Sequence, residues 1–309
     1  MNPQCYGVDV SKETLEIAGD GQVVQIANTR GAIRSYVRRL PAGSLVGMEA
    51  TNTYHLAMAD HCHEAGMRVY VVNPRVTRHY REILAMHGHN DQMDARALAS
   101  FVQRHHPELR PYTPKPVATR RLATLLRRRS KLVGVKVQLQ QSLHQIPEIR
   151  AQVHTALARI EAIIATIERL IEQQLEGNAD RARLARITGI GPIVSAALVC
   201  DLQSGPFRSV DAFVAFYGLD PQPNDSGKLK GRRRISKRGQ RLGRTLLYNA
   251  AMSTVRTAVW KPLYQKLLSR GLSKIQAIVA IARRLARTAW SVYTHQTEFN
   301  PARLYQPLT

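Results

Sequence analysis

Four carboxylates, Asp9, Glu49, Asp91 and Asp94, fall where short apolar runs end or where a helical run begins. Asp9 lies within Gly7-Val-Asp-Val-Ser-Lys12, and Glu49 closes Leu45-Val-Gly-Met-Glu49. Asp91 and Asp94 are three residues apart at the start of a stretch with helical period, which places them on one face. Carboxylate oxygens are hard ligands that suit Mg²⁺, an ion that keeps waters and takes further ligands from phosphate. Two such ions can orient an attacking oxygen and stabilise a leaving one. Each acid alone also has a structural role open to it. Asp91 can cap a helix, Asp94 can face the helix dipole, and Glu49 can cap the loop after it.

The rest of the chain makes these acids conspicuous. Its 309 residues carry 45 Lys+Arg against 22 Asp+Glu, a formal charge of +23. Residues 109–147 hold nine basic residues and no acid; residues 226–297 hold 17 and no acid. The remainder holds 19 basic against 22 acidic residues and is nearly neutral. Two segments are thus built to meet phosphate, and the quartet lies outside both. A polyanion-binding protein gains nothing from clustered acids near its ligand unless they hold a cation that the phosphates also need.

The elements that must position the quartet come from periodicity. Residues 5–10, 14–18 and 23–27 read as three strands, the last two joined by Gly19-Asp20-Gly21. A helix at 31–40, a strand at 44–49, a helix at 54–65 and a strand at 68–72 follow, then helices at 75–86 and 92–104. This order is that of a ribonuclease-H-like α/β fold, in which the strands bearing Asp9 and Glu49 are neighbours. Four prolines in 107–116 mark a linker. A helix at 119–146 is followed by Val153, Leu157, Ile160, Ile164, Ile167, Ile171 and Leu175, spaced as a heptad seam. The expected domains are therefore 1–106, a linker and coiled-coil arm at 107–180, and a mainly helical domain at 181–309. Within the last, Ile187-Thr-Gly-Ile-Gly-Pro192 resembles a helix-hairpin-helix turn that offers backbone N–H groups to phosphate; it equally fits a helix C-cap followed by Pro at N1.

Ser226 stands in Asn224-Asp-Ser-Gly227, directly before Lys228, Lys230, Arg232, Arg233, Arg234, Lys237 and Arg238. A serine hydroxyl can attack a phosphodiester if it loses its proton and the phosphorane charge is neutralised, which the basic run would do. A serine before a glycine is also an ordinary turn residue. Ser236, before Lys-Arg-Gly, fits a phosphate contact or an N-cap. His61-Cys62-His63 lies on a helical stretch whose adjacent residues face different ways, so it does not suit zinc, and His87 and His89 lack soft partners. The three cysteines have no motif spacing, as in a reducing cytosol, no run approaches a membrane span, and no ATP-binding loop motif is present.

Gly7-Val-Asp-Val-Ser-Lys12, Met48-Glu-Ala-Thr-Asn-Thr-Tyr54 and Asn90-Asp-Gln-Met-Asp-Ala-Arg96 resemble the acidic motifs of the DEDD insertion-sequence transposases, described as bridge-RNA-guided serine recombinases. The resemblance continues through Thr188-Gly-Ile-Gly191, Phe213-Val-Ala-Phe-Tyr-Gly-Leu219, Asp225-Ser-Gly227 and Ser236-Lys-Arg-Gly239. Asn52 replaces a usual Gly and His89-Asn90 a common Lys-Thr, beside the acids rather than at them. The resemblance implies a RuvC-like N-terminal domain in which Asp9, Glu49, Asp91 and Asp94 bind Mg²⁺. It implies a C-terminal transposase domain whose Ser226 forms a transient phosphoserine link to DNA. It further implies a structured bridge RNA, element-end and target DNA as partners, a homo-oligomer of two or four subunits, and action in the bacterial cytoplasm on the nucleoid. The alternative is a RuvC-like Holliday-junction nuclease that uses the quartet with water as nucleophile.

Overall fold

In the computed structural model the first alternating runs form β1 (Cys5–Val10), β2 (Thr14–Gly19) and β3 (Gln22–Ala27), an antiparallel meander. The structure describes residues 3–83, 90–222, 225–226, 229–230 and 234–305. They fall into two units that divide between Pro114 and Lys115, each considered by itself. In the first unit β4 (Leu45–Glu49) joins β1 in parallel and β5 (Arg68–Val72) joins β4 in parallel. The order β3-β2-β1-β4-β5 is a mixed five-stranded sheet, as expected for a ribonuclease-H-like α/β domain.

Period-two alternation gives the sheet two buried faces. Tyr6, Val8 and Val10 point into a core shared with α1 (Arg30–Val37) and α2 (Leu56–Glu64). Cys5, Gly7 and Asp9 point the other way, toward α4 (Asp91–His105), which together with α3 (Pro74–Ile83) closes the second face around Leu45, Tyr70, Leu98 and Phe101. Gly7 and Gly47 sit under α4 for a steric reason. A Cβ on Gly7 would lie 2.0 Å from the Ala95 carbonyl oxygen, and one on Gly47 2.4 Å from Val102 Cγ2. Only glycine lets the helix backbone come this close.

The proline segment has no regular structure, yet Tyr112 is fastened to the sheet unit. Its N–H donates to the Val69 carbonyl at 2.7 Å and its hydroxyl to Asp60 Oδ1 at 2.8 Å. This is why the first unit runs on to Pro114.

The second unit is helical. The helices α5 (Val117–Leu143) and α6 (Arg150–Gln174) form an antiparallel pair, tied by Arg129 Nε to Glu168 and Lys136 Nζ to Glu161, each at 2.6 Å. On the seam expected along α6, Ile164, Ile171 and Leu175 are buried. Its root, Ile171 and Leu175, is buried with Leu122 and Leu126 in the same core as the later helices. Away from that root Ile163 and Val137 are exposed. After α7 (Ala179–Ala185), helix α8 (Pro192–Leu202) is buried on every side from Ser195 onward by α5, α6, α7, α10 (Arg241–Thr254) and α12 (Lys274–Thr294), while α9 (Val210–Phe216) and α11 (Lys261–Ser269) pack on α12. Between α9 and α10 two short ladders nest one inside the other: β6 (Pro221–Gln222) with β9 (Arg234–Ile235), and β7 (Asp225–Ser226) with β8 (Leu229–Lys230).

Candidate active site

The four acids come together at one end of the sheet, and backbone geometry does it. Val8 pairs with Met48 in the parallel β1–β4 ladder, so the next residues, Asp9 and Glu49, stand side by side on the α4 face. Gly7 and Gly47, two residues earlier, bring α4 down onto that face, and its first turn carries Asp91 and Asp94 beyond the strand ends. The cap of α4 is Asn90, whose Oδ1 accepts from Gln92 N–H at 2.9 Å. Asp91 is thus not the cap, and both aspartates stand in the first turn.

Asp9 registers the crowding. Burial first, then the charges of Asp91, Asp94 and Glu49, push its carboxyl up to about 6. Two residues of α3 that sequence reasoning did not single out also reach the quartet. Thr77 Oγ1 donates to Glu49 Oε2 at 2.9 Å, and Arg81 Nη1 donates to Asp94 Oδ1. Arg81 is one of 45 basic residues and Thr77 carries no charge, so nothing but their spacing of four on a helical stretch could have marked them.

Among the described residues, no group of three His, Cys, Asp or Glu side chains is gathered closely enough to hold an ion as placed. Glu49 is bonded to Thr77 and Asp94 to Arg81. The donor set itself fits a hard divalent cation: four carboxylates, one of them with its proton affinity raised by burial and by the charges of the other three.

Ser226 lies in the second unit, on β7 opposite Leu229. Lys228, Arg232 and Arg233 lie outside the described residues, and Ser226, Lys230 and Arg234 are described in backbone only. Lys237 and Arg238 are exposed. The neck of this segment is rigidly built. Lys237 N–H donates to the Gly218 carbonyl at 3.1 Å and Gln240 N–H to the Phe216 carbonyl at 2.7 Å. Gly218, at φ 64°, and Gly239 cross so closely that a Cβ on Gly239 would meet Gly218 N at 2.3 Å. Arg244 Nη1 donates to the Tyr217 carbonyl at 2.9 Å, and to those of Lys237 and Gly239 at 3.3 and 3.4 Å.

Beneath the neck, Asp201 Oδ2 accepts from the Tyr217 hydroxyl at 3.0 Å, and Gln240 Nε2 approaches both Asp201 oxygens at 3.4 Å. Burial pushes the Asp201 carboxyl up to about 7, against the lowering effects of Tyr217 and Lys115. Ser236 is neither an N-cap nor turned outward, because its hydroxyl donates to Asp220 Oδ1 at 2.5 Å and Gln240 caps α10. The turn 187–192 is anchored inward. Trp260 Nε1 donates to the Thr188 carbonyl at 2.9 Å, and Gly189, at φ 96°, rests against Thr254. Its last residues, Gly191 and Pro192, serve as N-cap and N1 of α8.

The basic blocks are less uniform in space than along the chain. Arg129 and Lys136 meet glutamates from α6, Arg287 pairs with Asp211, and Arg284 Nη2 donates to the Arg303 and Leu304 carbonyls. Arg121, Arg127, Arg128 and Lys131 on α5 remain exposed, as do Lys237, Arg238 and Arg241 at the neck. Cys62 is fully buried while His63 is exposed and His61 Nδ1 bonds the Ala57 carbonyl, so these three residues do not converge; His87 and His89 lie outside the described residues. Among the described residues no helix is long and apolar enough to cross a membrane.

Comparison with known proteins follows the same division. A DEDD transposase profile of the IS110 type matches residues 6–147, and one described as "Transposase IS116/IS110/IS902 family" matches residues 181–265. The first spans the sheet unit and α5, the second runs from α7 into α11, and α6 lies in neither. The chain belongs to the IS110/IS116 family of DEDD transposases. It is similar along nearly its whole length to the "Transposase for insertion sequence element IS1328" of Yersinia enterocolitica, with 27% identity over 97% of this chain and 99% of that protein. The "Probable family 20 transposase" of Pseudomonas aeruginosa is 26% identical over 97% of this chain and its own full length. The "Pilin gene-inverting protein" of Moraxella bovis is 26% identical over 82% of this chain and 81% of that protein. This transposase is therefore a DNA-recombining enzyme, and its acidic and serine-bearing segments lie within the two matched regions.

Proposed function

We propose that this transposase cuts and rejoins element-end and target DNA through a covalent phosphoserine on Ser226, and that Asp9, Glu49, Asp91 and Asp94 hold Mg²⁺ for that reaction. One observation carries the metal half: strand register and helix contact gather three carboxylates from β4 and α4 around a fourth on β1, whose proton affinity is raised by burial first and by their charges second. Such mutual repulsion between groups placed by strand register and helix contact is relieved by a divalent cation. The ion supplies charge for the phosphorane and for the leaving oxygen.

Ser226 Oγ attacks phosphorus and gives up its proton; a sugar oxygen departs with the bonding electrons and takes a proton. A hydroxyl of the new DNA partner then attacks the phosphoserine, and Ser226 leaves with its proton restored. One phosphodiester is exchanged for another, so no ATP is needed. The exposed cations of α5 and of the neck hold nucleic acid phosphates. A bridge-type RNA pairs with both DNA partners, two or four subunits act together, and the protein works in the cytoplasm on nucleoid DNA.

The test uses labelled element-end DNA on a denaturing protein gel. Wild type leaves a protein–DNA adduct in Mg²⁺; Ser226→Ala and Asp9→Asn leave none. Strand cutting by Ser226→Ala at the wild-type rate would instead make the protein a metal-dependent nuclease acting through water. Sequencing RNA that co-purifies with the protein tests the guide: no RNA complementary to either DNA partner removes it.

A further inference from the structure

The α3 helix sends two side chains to the quartet from one face. Thr77 and Arg81 are four residues apart and therefore stacked. The hydroxyl bonds Glu49 and the guanidinium pairs with Asp94. The pair is well shielded, with Arg81 16% and Asp94 25% exposed. Arginine cannot shed its proton to make room for a second cation. A divalent ion that takes Asp94 as a ligand must compete with this guanidinium for the same carboxylate and must bear its repulsion if it stays.

We propose that Arg81 is an exchangeable counter-cation of the centre: it holds Asp94 until a divalent ion arrives and yields the carboxylate to it. This rests on the metal reading above. Two consequences follow from charge alone. Arg81 stabilises the four acids when metal is scarce, because one of them is neutralised. It also weakens the intrinsic affinity for the ion, since binding includes the loss of an ion pair shielded from water. The planar fork that Arg81 presents, once released, suits phosphate oxygens, which ties ion uptake to the entry of a DNA strand.

The full-length protein without DNA can be titrated with Mn²⁺, followed by the loss of free-ion electron spin resonance signal, for wild type, Arg81→Gln and Arg81→Lys. Arg81→Gln binds the ion on the order of tenfold more tightly, while Arg81→Lys, which keeps the charge, stays near wild type. In chelator Arg81→Gln melts below wild type and regains the difference in Mg²⁺. Equal or weaker Mn²⁺ affinity in Arg81→Gln, with wild type binding normally, overturns the exchange and leaves the metal reading standing. Absence of binding in wild type and both variants removes the metal reading and the exchange with it.

Discussion

The two units each keep carboxylates with raised proton affinity, but in opposite settings. In the sheet unit Asp9 is crowded by three other acids at the open end of parallel strands. In the helical unit Asp201 is enclosed, and its partners are a tyrosine hydroxyl and a glutamine amide. The first arrangement sets one guanidinium, that of Arg81, among four acids; the second meets its single acid with hydrogen bonds from within the unit. The sheet unit thus places its polar groups directly by backbone, through register and the glycines under α4. The helical unit places its serine on β7, beyond a neck of close backbone contacts.

The largest test of this contrast is catalytic. Asp9→Asn and Ser226→Ala should each lower strand exchange by at least about 10³-fold without unfolding the chain, the magnitude expected when one member of a reacting set is removed. Measured rates within tenfold of wild type for either variant would show that its unit does not take part in the chemistry.

Next comes the backbone. Gly7→Ala forces a methyl into α4, at a cost of about 3 kcal/mol or more in overpacking. Thermal unfolding should show this loss, and a variant that melts with wild type would mean that α4 does not rest on Gly7. In the helical unit, Asp201→Ala leaves a buried hydroxyl on Tyr217 without its acceptor and should cost about 2 kcal/mol, with Asp201→Asn milder.

The dependence on pH sharpens the comparison further. Asp9 and Asp201 both bind their proton more tightly folded than unfolded, with values near 6 and 7 against 3.8. Their contribution to stability is therefore fully present below about pH 4 and is lost as pH rises to about 6 for Asp9 and about 7 for Asp201. For Asp9 the effect is on the order of 1 kcal/mol after solvent screening. Mg²⁺ should cancel the part due to Asp9 and leave that due to Asp201. Calorimetry at pH 5 and pH 8, with chelator and with Mg²⁺, checks this; a pH response in which Mg²⁺ changes nothing would falsify the assignment of the ion to the quartet. Smallest of all, Arg129→Ala on the arm should shift stability by under about 1 kcal/mol, because its partner Glu168 is partly exposed.

Much of this was legible in the residues. Alternation around Val8 and Met48 and the helical period after Asn90 are local properties of the chain, and they located the strands, the helix and the four acids. The heptad spacing on α6 likewise marked its buried side, though not its partner. Charge runs were legible as runs only. Glu161 and Glu168 lie outside the basic block of α5, and folding the chain back on itself is what brings them to Arg129 and Lys136.

What the sequence determined by itself was therefore the kind of element at each point and which residues each element presents. Hydrophobic period and glycine placement act within a few residues and are written in order. What only tertiary structure decided was which groups meet. Thr77 and Arg81 reach the quartet, Asp201 lies beneath Tyr217 and Gln240, and Ser236 turns inward to Asp220. Electrostatic and hydrogen-bond partners are set by distance in space, and the packing of helices on a sheet or on each other fixes that distance with no trace in the spacing of the letters.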